Sequence, residues 1–85
     1  MENTEIKREL LTPGSKYTHY KHKEQFYEII GIGIHSETLE EMVIYRALYN
    51  SPEWGENRIW VRPISMFFDY KDIDGQKVPR FTKVS

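Results

Sequence analysis

Apolar and polar residues alternate over most of this chain, and helical spacing is confined to its first dozen residues. Ile6, Leu10 and Leu11 recur at three- to four-residue intervals, Asn3 or Thr4 stands where a cap belongs, and Pro13 with Gly14 ends the pattern. Residues 1–12 are therefore predicted as an N-terminal extension with a short helix. From Lys16 to His22 aromatic and basic residues alternate, and from Phe26 to Ile34 the side chains of Phe26, Ile30, Ile32 and Ile34 share one face of an extended chain. These runs predict a hairpin joined around residues 22–25, without an Asn-Gly turn to fix its register. Gly31 and Gly33 fall on the face opposite the isoleucines, where a bend or a close backbone approach is expected.

The segment SETLEE interrupts the apolar pattern, and Thr38 followed three residues later by Glu41 predicts one helical turn or a polar bend. From Met42 to Tyr49 the chain is rich in strand formers, with Val43, Tyr45, Ala47 and Tyr49 on one face and Met42, Ile44, Arg46 and Leu48 on the other. NSPEWGEN reads as an exposed loop around Trp54. A short strand follows, with Ile59 and Val61 opposite Arg58, Trp60 and Arg62. Pro63 stops pairing and favours a tight helical turn through Ile64 to Met66, after which Phe67 and Phe68 return to the core. Asp74-Gly75 between two short runs is a strong hairpin signal, and Pro79 makes the last strand irregular or peripheral. Short connections, no repeats and no linker predict an all-β domain over residues 13–85. The expected architecture is a small SH3-like barrel of five to six mostly antiparallel strands with one or two short helical turns.

Composition narrows the chemistry. A chain of 85 residues builds a thin core, and its 14% aromatic content is what fills it. A net charge of −1 gives no broad attraction to nucleic acid or anionic membrane. With no cysteine, disulfides, thiolate nucleophiles and thiolate metal sites are excluded. The charged N-terminus lacks the apolar run of a signal peptide, and the expected location is the cytoplasm. GIGI, residues 31–34, is not a dinucleotide-binding fingerprint.

The candidate chemistry lies where polar groups interrupt apolar strands. His35, Arg46, Trp60 and Arg62, with Tyr20 and Arg80 nearby in type, form either a hydrogen-bonded structural network or a binding site, since guanidinium beside aromatic rings clamps an anion while stacking on a planar group. The network reading pairs the arginines with Glu28, Glu37 or Glu40. In His35-Ser36-Glu37 adjacent side chains point apart, which disfavours a nucleophile and base pair and favours a turn. His19 and His22, placed on one strand, face opposite sides, so no metal site and no cofactor are implied. KYTHYKHK mixes Lys16, Lys21 and Lys23 with Tyr17 and Tyr20, as a single-strand nucleic-acid platform does, but also as a solvated edge strand does. Trp54 is an interaction anchor or a lid.

Several motifs in order, PGSKYTHYK, HSETLEE, IYRALY, WVRPISMFF and VPRF, make the chain resemble the bacterial family known as domain of unknown function sixteen fifty-three from about Pro13 to Phe81. Members resemble stand-alone small proteins or modules attached to other domains, which implies a binding or accessory role and no catalytic residue. The acidic loop carrying Trp54 departs from the usual pattern. The expected function is a non-catalytic binding module for a planar or anionic small molecule or a peptide, using Tyr20, His35, Arg46, Trp60 and Arg62. The alternatives are an RNA- or single-strand-binding accessory protein and a hydrolase-type enzyme around His35.

Overall fold

The computed structural model describes residues 9–85. The helix expected over residues 2–11 falls largely outside them, with Asn3, Thr4 and Ile6. Residues 9 and 10 are helical, and Leu11 is buried in the core. The Thr12 hydroxyl donates to the Glu9 carbonyl at 2.8 Å and the Tyr17 hydroxyl to that of Leu10 at 2.5 Å, fastening the incoming chain to the first strand.

Strands β1 (Lys16–His19), β2 (His22–Ile34), β3 (Glu41–Ala47), β6 (Ile59–Pro63) and β9 (Phe81–Lys83) form one antiparallel sheet in the order β6-β3-β2-β1-β9. Two small ribbons complete the all-β fold. One pairs β4 (Asn50–Ser51) with β5 (Gly55–Glu56), and the other pairs β7 (Tyr70–Ile73) with β8 (Gln76–Pro79). The expected helical turn after Pro63 is α1 (Ile64–Phe67). The sheet does not close into a barrel, because β6 and β9 end it without pairing to each other. α1 fills its inner face instead: Phe67 is fully buried and stacks on Phe81, ring centroids 4.2 Å apart.

Strand β3 alternates as its sequence predicts, with Val43, Tyr45 and Ala47 buried. Strand β2 does not follow its expected pattern. Its core residues are Tyr27 and Ile29, whereas Phe26 and Ile34 are 40% and 58% exposed. A bulge at Ile30 also shifts the register: Ile29 pairs with Tyr45, Gly31 with Ile44 and Ile32 with Val43. One extra residue reverses the parity, so Ile32 packs on the core face with Ile29. The expected close approach is seen at Gly33, where a Cβ would lie 3.1 Å from Ile44 Cδ1.

The first hairpin also turns earlier than expected. Tyr20 and Lys21 form its two-residue turn, His19 pairs with His22, and the polar segment of residues 22–25 is strand rather than loop. The Lys21 amide donates to His19 Nδ1 at 3.2 Å, so an imidazole stabilises a turn that lacks glycine. The polar bend after β2 is built similarly, with Leu39 at φ +63°. The Asp74-Gly75 hairpin forms as predicted, with φ of +50° and +80° as a type I′ turn requires. Beyond Pro79 the chain breaks at Arg80 and rejoins the main sheet as β9, along β1.

Candidate functional site

Register decides which side chains meet. Trp60 pairs with Tyr45 and Arg62 with Val43, and both partners are buried, so β6 turns Trp60 and Arg62 toward the inner face. Ile59 and Val61 point the other way and are 44% and 59% exposed. The inner face holds a cavity of about 240 Å³ with aromatic walls from Tyr27, Tyr45, Tyr49, Trp60 and Phe81. Arg62 stands in the wall, and His19, Lys21 and His22 line the rim. The rings are fixed by edge-to-face contacts, Tyr27 on Tyr45, Tyr49 and Phe81, and the Tyr27 and Tyr49 hydroxyls share a 2.7 Å hydrogen bond.

No carboxylate lines this cavity. Arg62 Nε donates to the Tyr45 hydroxyl at 3.4 Å, a long bond, and its guanidinium carbon lies 5.7 Å from the centre of the Phe81 ring. Among the described residues Arg62 forms no ion pair. Arg80 is the contrast: its Nε and Nη2 donate to the two Asp69 oxygens at 2.6 and 3.0 Å, a bidentate pair that holds the Asp69 carboxyl below its usual range. Burial, followed by the charges of Arg80, Arg62, His22 and Lys21, pushes His19 down to about 4, so its imidazole is neutral at neutral pH. Burial and the bond to Tyr49 raise the Tyr27 hydroxyl, which stays protonated.

The five residues expected to form a site separate. Trp60 and Arg62 stand in the cavity wall. Tyr20 lies in the turn beside the rim, its ring centroid 4.7 Å from that of His19. His35 is exposed at the end of β2, where its Nδ1 accepts the amides of Glu37 at 3.1 Å and Thr38 at 3.3 Å; the ring itself shapes the turn, and the Thr38 hydroxyl oxygen accepts the Glu40 amide at 3.2 Å. Arg46 is on the outer face opposite Glu28, with Nε 4.0 Å from Glu28 Oε1 and otherwise without a hydrogen-bond partner. Parity along β3 already separates Arg46 from Tyr45; what one strand cannot reveal is that Trp60 follows Tyr45.

His19, Lys21, His22 and the wall residues Tyr27, Tyr45, Tyr49 and Phe81 were not foreseen as one cluster. His19 and His22 were expected on opposite sides of a strand, but a two-residue turn makes them direct cross-strand partners, and both reach the rim. Among the described residues no group of three metal-ligating side chains assembles. Tyr17, expected as a stacking ring, is 2% exposed and belongs to the core. Trp54 is half exposed and meets Trp60 edge-on at 5.8 Å, while Arg58 donates to the Trp54 carbonyl at 3.2 and 3.0 Å. A second depression of about 260 Å³, reached from the other side of Phe81, is mostly apolar, with Lys83 as its charged side chain.

The family model described as a protein of unknown function, DUF1653, matches residues 15–83. A crystal structure of a protein belonging to DUF1653 from Bordetella bronchiseptica is similar over 85% of each chain, with 29% identity and a TM-score of 0.69. No curated protein matches the chain. Among the described residues no helix is long and apolar enough to cross a membrane.

Proposed function

We propose, for a chain that belongs to the DUF1653 family of proteins of unknown function, that it is a non-catalytic binding module whose inner sheet face takes a small molecule bearing a planar group. The observation that carries this reading is Arg62, a guanidinium held on an aromatic wall with no ion-pair partner among the described residues. A cation kept beside buried rings, while Arg80 nearby is neutralised by Asp69, is a site for an anion supplied from outside. Trp60, with the ring edges of Tyr27 and Tyr49, lines the space in which a flat group would stack.

The size of the cavity favours a small molecule over an extended peptide or a nucleic-acid strand, since about 240 Å³ is below the roughly 300–1,000 Å³ of pockets for drug-sized ligands. The absence of Tyr17 from the surface takes one ring from the stacking platform that RNA binding would use. A hydrolase around His35 would need that ring as a base, and its Nδ1 is engaged in the turn.

Tryptophan fluorescence tests the proposal. In a Trp54→Phe background, a panel of small aromatic and heteroaromatic compounds is expected to change the emission of Trp60. Arg62→Ala is expected to abolish the response of anionic members while the circular dichroism of the fold persists. Silence across the panel, with Trp60 shielded from soluble quenchers, would overturn it.

A further inference from the structure

The inner-face cavity has a donor and acceptor balance that narrows its ligand. The wall supplies Arg62, whose Nε is engaged with Tyr45 but whose two Nη groups, the end-on fork of the guanidinium, have no partner among the described residues. His19 supplies a second donor. Its Nδ1 accepts the Lys21 amide, so Nδ1 is the unprotonated nitrogen and the neutral ring carries its hydrogen on Nε2. Burial and the neighbouring charges of Arg80, Arg62 and Lys21 keep this ring from gaining a second proton. Against these donors the lining offers as side-chain acceptors the tyrosine hydroxyls, of which Tyr27 and Tyr49 satisfy one another in part, and the His22 ring, but no carboxylate. A ligand rich in donors, or a cation, would meet no carboxylate there.

Charge and size narrow it further. Lys21 Nζ lies 6.0 Å from the centre of the Tyr20 ring, directed to the turn, which leaves Arg62 as the cation fixed against the aromatic wall. One fixed charge suits a monoanion better than a dianion. The planar Nη fork matches the two oxygens of a carboxylate lying in the plane of a ring, and a cavity of about 240 Å³ suits a small ring system.

We propose that the cavity binds a small aromatic or heteroaromatic carboxylic acid as its monoanion, with the carboxylate on the Nη fork of Arg62 and an oxygen or ring nitrogen accepting from His19 Nε2. This rests on the reading of the inner face as a planar-ligand site and assigns that ligand its chemical class. Arg62 sets the charge that is accepted; His19 is a specificity residue held in one tautomer by its own hairpin turn.

The test uses the full chain and four probes that share a ring: benzoate, benzamide, benzylammonium and phenyl phosphate. Titration followed by nuclear magnetic resonance is expected to show benzoate binding about tenfold more tightly than benzamide, as a charge-assisted pair requires, with benzylammonium not binding. Arg62→Gln should bring benzoate down to the level of benzamide. The nitrogen spectrum of His19 should show a bare Nδ1 and a protonated Nε2, and the Nε2 proton should shift when benzoate is added. His19→Asn, whose side-chain oxygen can still accept the Lys21 amide, should keep the melting temperature and weaken benzoate severalfold. Equal binding of benzoate and benzamide, tighter binding of phenyl phosphate than of benzoate, or an Nδ1-protonated His19 would overturn the assignment while leaving the planar site standing. If none of the four perturbs Trp60, both the assignment and the planar-site reading fall.

Discussion

The two faces of the five-stranded sheet invert what their hydropathy leads one to expect. On the inner face lie Trp60 and Arg62 beside buried Tyr27, Tyr45 and Phe81; on the outer face Ile59 and Val61 are 44% and 59% exposed around the Arg46–Glu28 pair. Aliphatic residues stand in water while an arginine and an indole face the core. In so small a domain the large rings fill the interior, and a strand at the end of a sheet takes its facing from register with its neighbour, Tyr45 to Trp60, rather than from which of its sides is greasier. Exposed single aliphatics are tolerated. An arginine with no ion-pair partner among the described residues, set against an aromatic wall, is the observation that asks for a ligand.

The largest expected effect tests whether the inner face is the structural one. Phe67→Ala removes a fully buried ring stacked on Phe81 and is expected to destabilise by about 3–5 kcal/mol in denaturant titration. A loss no larger than that of an outer-face change such as Val61→Thr would break the comparison.

Arg62 and Arg80 are expected to differ next. Asp69→Asn should cost about 1–2 kcal/mol, less than a buried ion pair, because the Asp69 side chain is 34% exposed. Arg62→Gln should change stability by less than about 0.5 kcal/mol, since it forms no ion pair among the described residues and one long hydrogen bond. Equal costs would make Arg62 a structural residue and remove the argument for a site.

The pH dependence separates the same groups. Asp69 has a depressed carboxyl, so the stability it contributes is present above its ordinary value and is lost as pH falls through the folded one. His19 is depressed from 6.5 to about 4, so the unfolded chain binds the extra proton first. Its contribution is complete above pH 6.5 and is lost as pH falls toward 4. His19→Asn is expected to flatten the stability profile in that window, and Asp69→Asn only at more acid pH. An unchanged slope in His19→Asn would mean that the ring is solvated and protonates freely.

The outer face should respond least. An arginine in an apolar strand suggests from sequence a buried charge whose loss costs several kcal/mol. The structure gives Arg46 a 4.0 Å approach to Glu28 with both side chains more than a third exposed, so Arg46→Ala is expected to cost at most about 1 kcal/mol. Val61→Thr should stay within about 0.5 kcal/mol.

What could be read in advance was local. The alternation of residues 43–47, the helical turn after Pro63 and the Asp74-Gly75 hairpin each rest on neighbours in the chain, and each is in the structure. The motifs that resemble the family cover the segment its model matches. Relations between strands were hidden. The bulge at Ile30, just before Gly31 where a bend is expected, reverses the face of Ile32, which alternation along the strand alone does not show. The turn at Tyr20-Lys21 uses His19 where a glycine or asparagine would be sought, and thereby brings His19 and His22 to one rim. Of the expected site residues, Trp60 and Arg62 share a face because their own strand alternates, and both line the cavity; Arg46 is set on the other face by parity along β3, and His35 lies in the turn beyond β2.

The central claim is that the inner face is the binding face and Arg62 its unpaired cation. A proton–nitrogen correlation spectrum of the whole chain, recorded with and without benzoate, tests it most directly. The account expects the Trp60 indole and Arg62 side-chain signals to move while those of Arg46 and the amides of Ile59 and Val61 stay in place. Shifts confined to the outer face, or an Arg62 signal that does not move when benzoate binds, would contradict it.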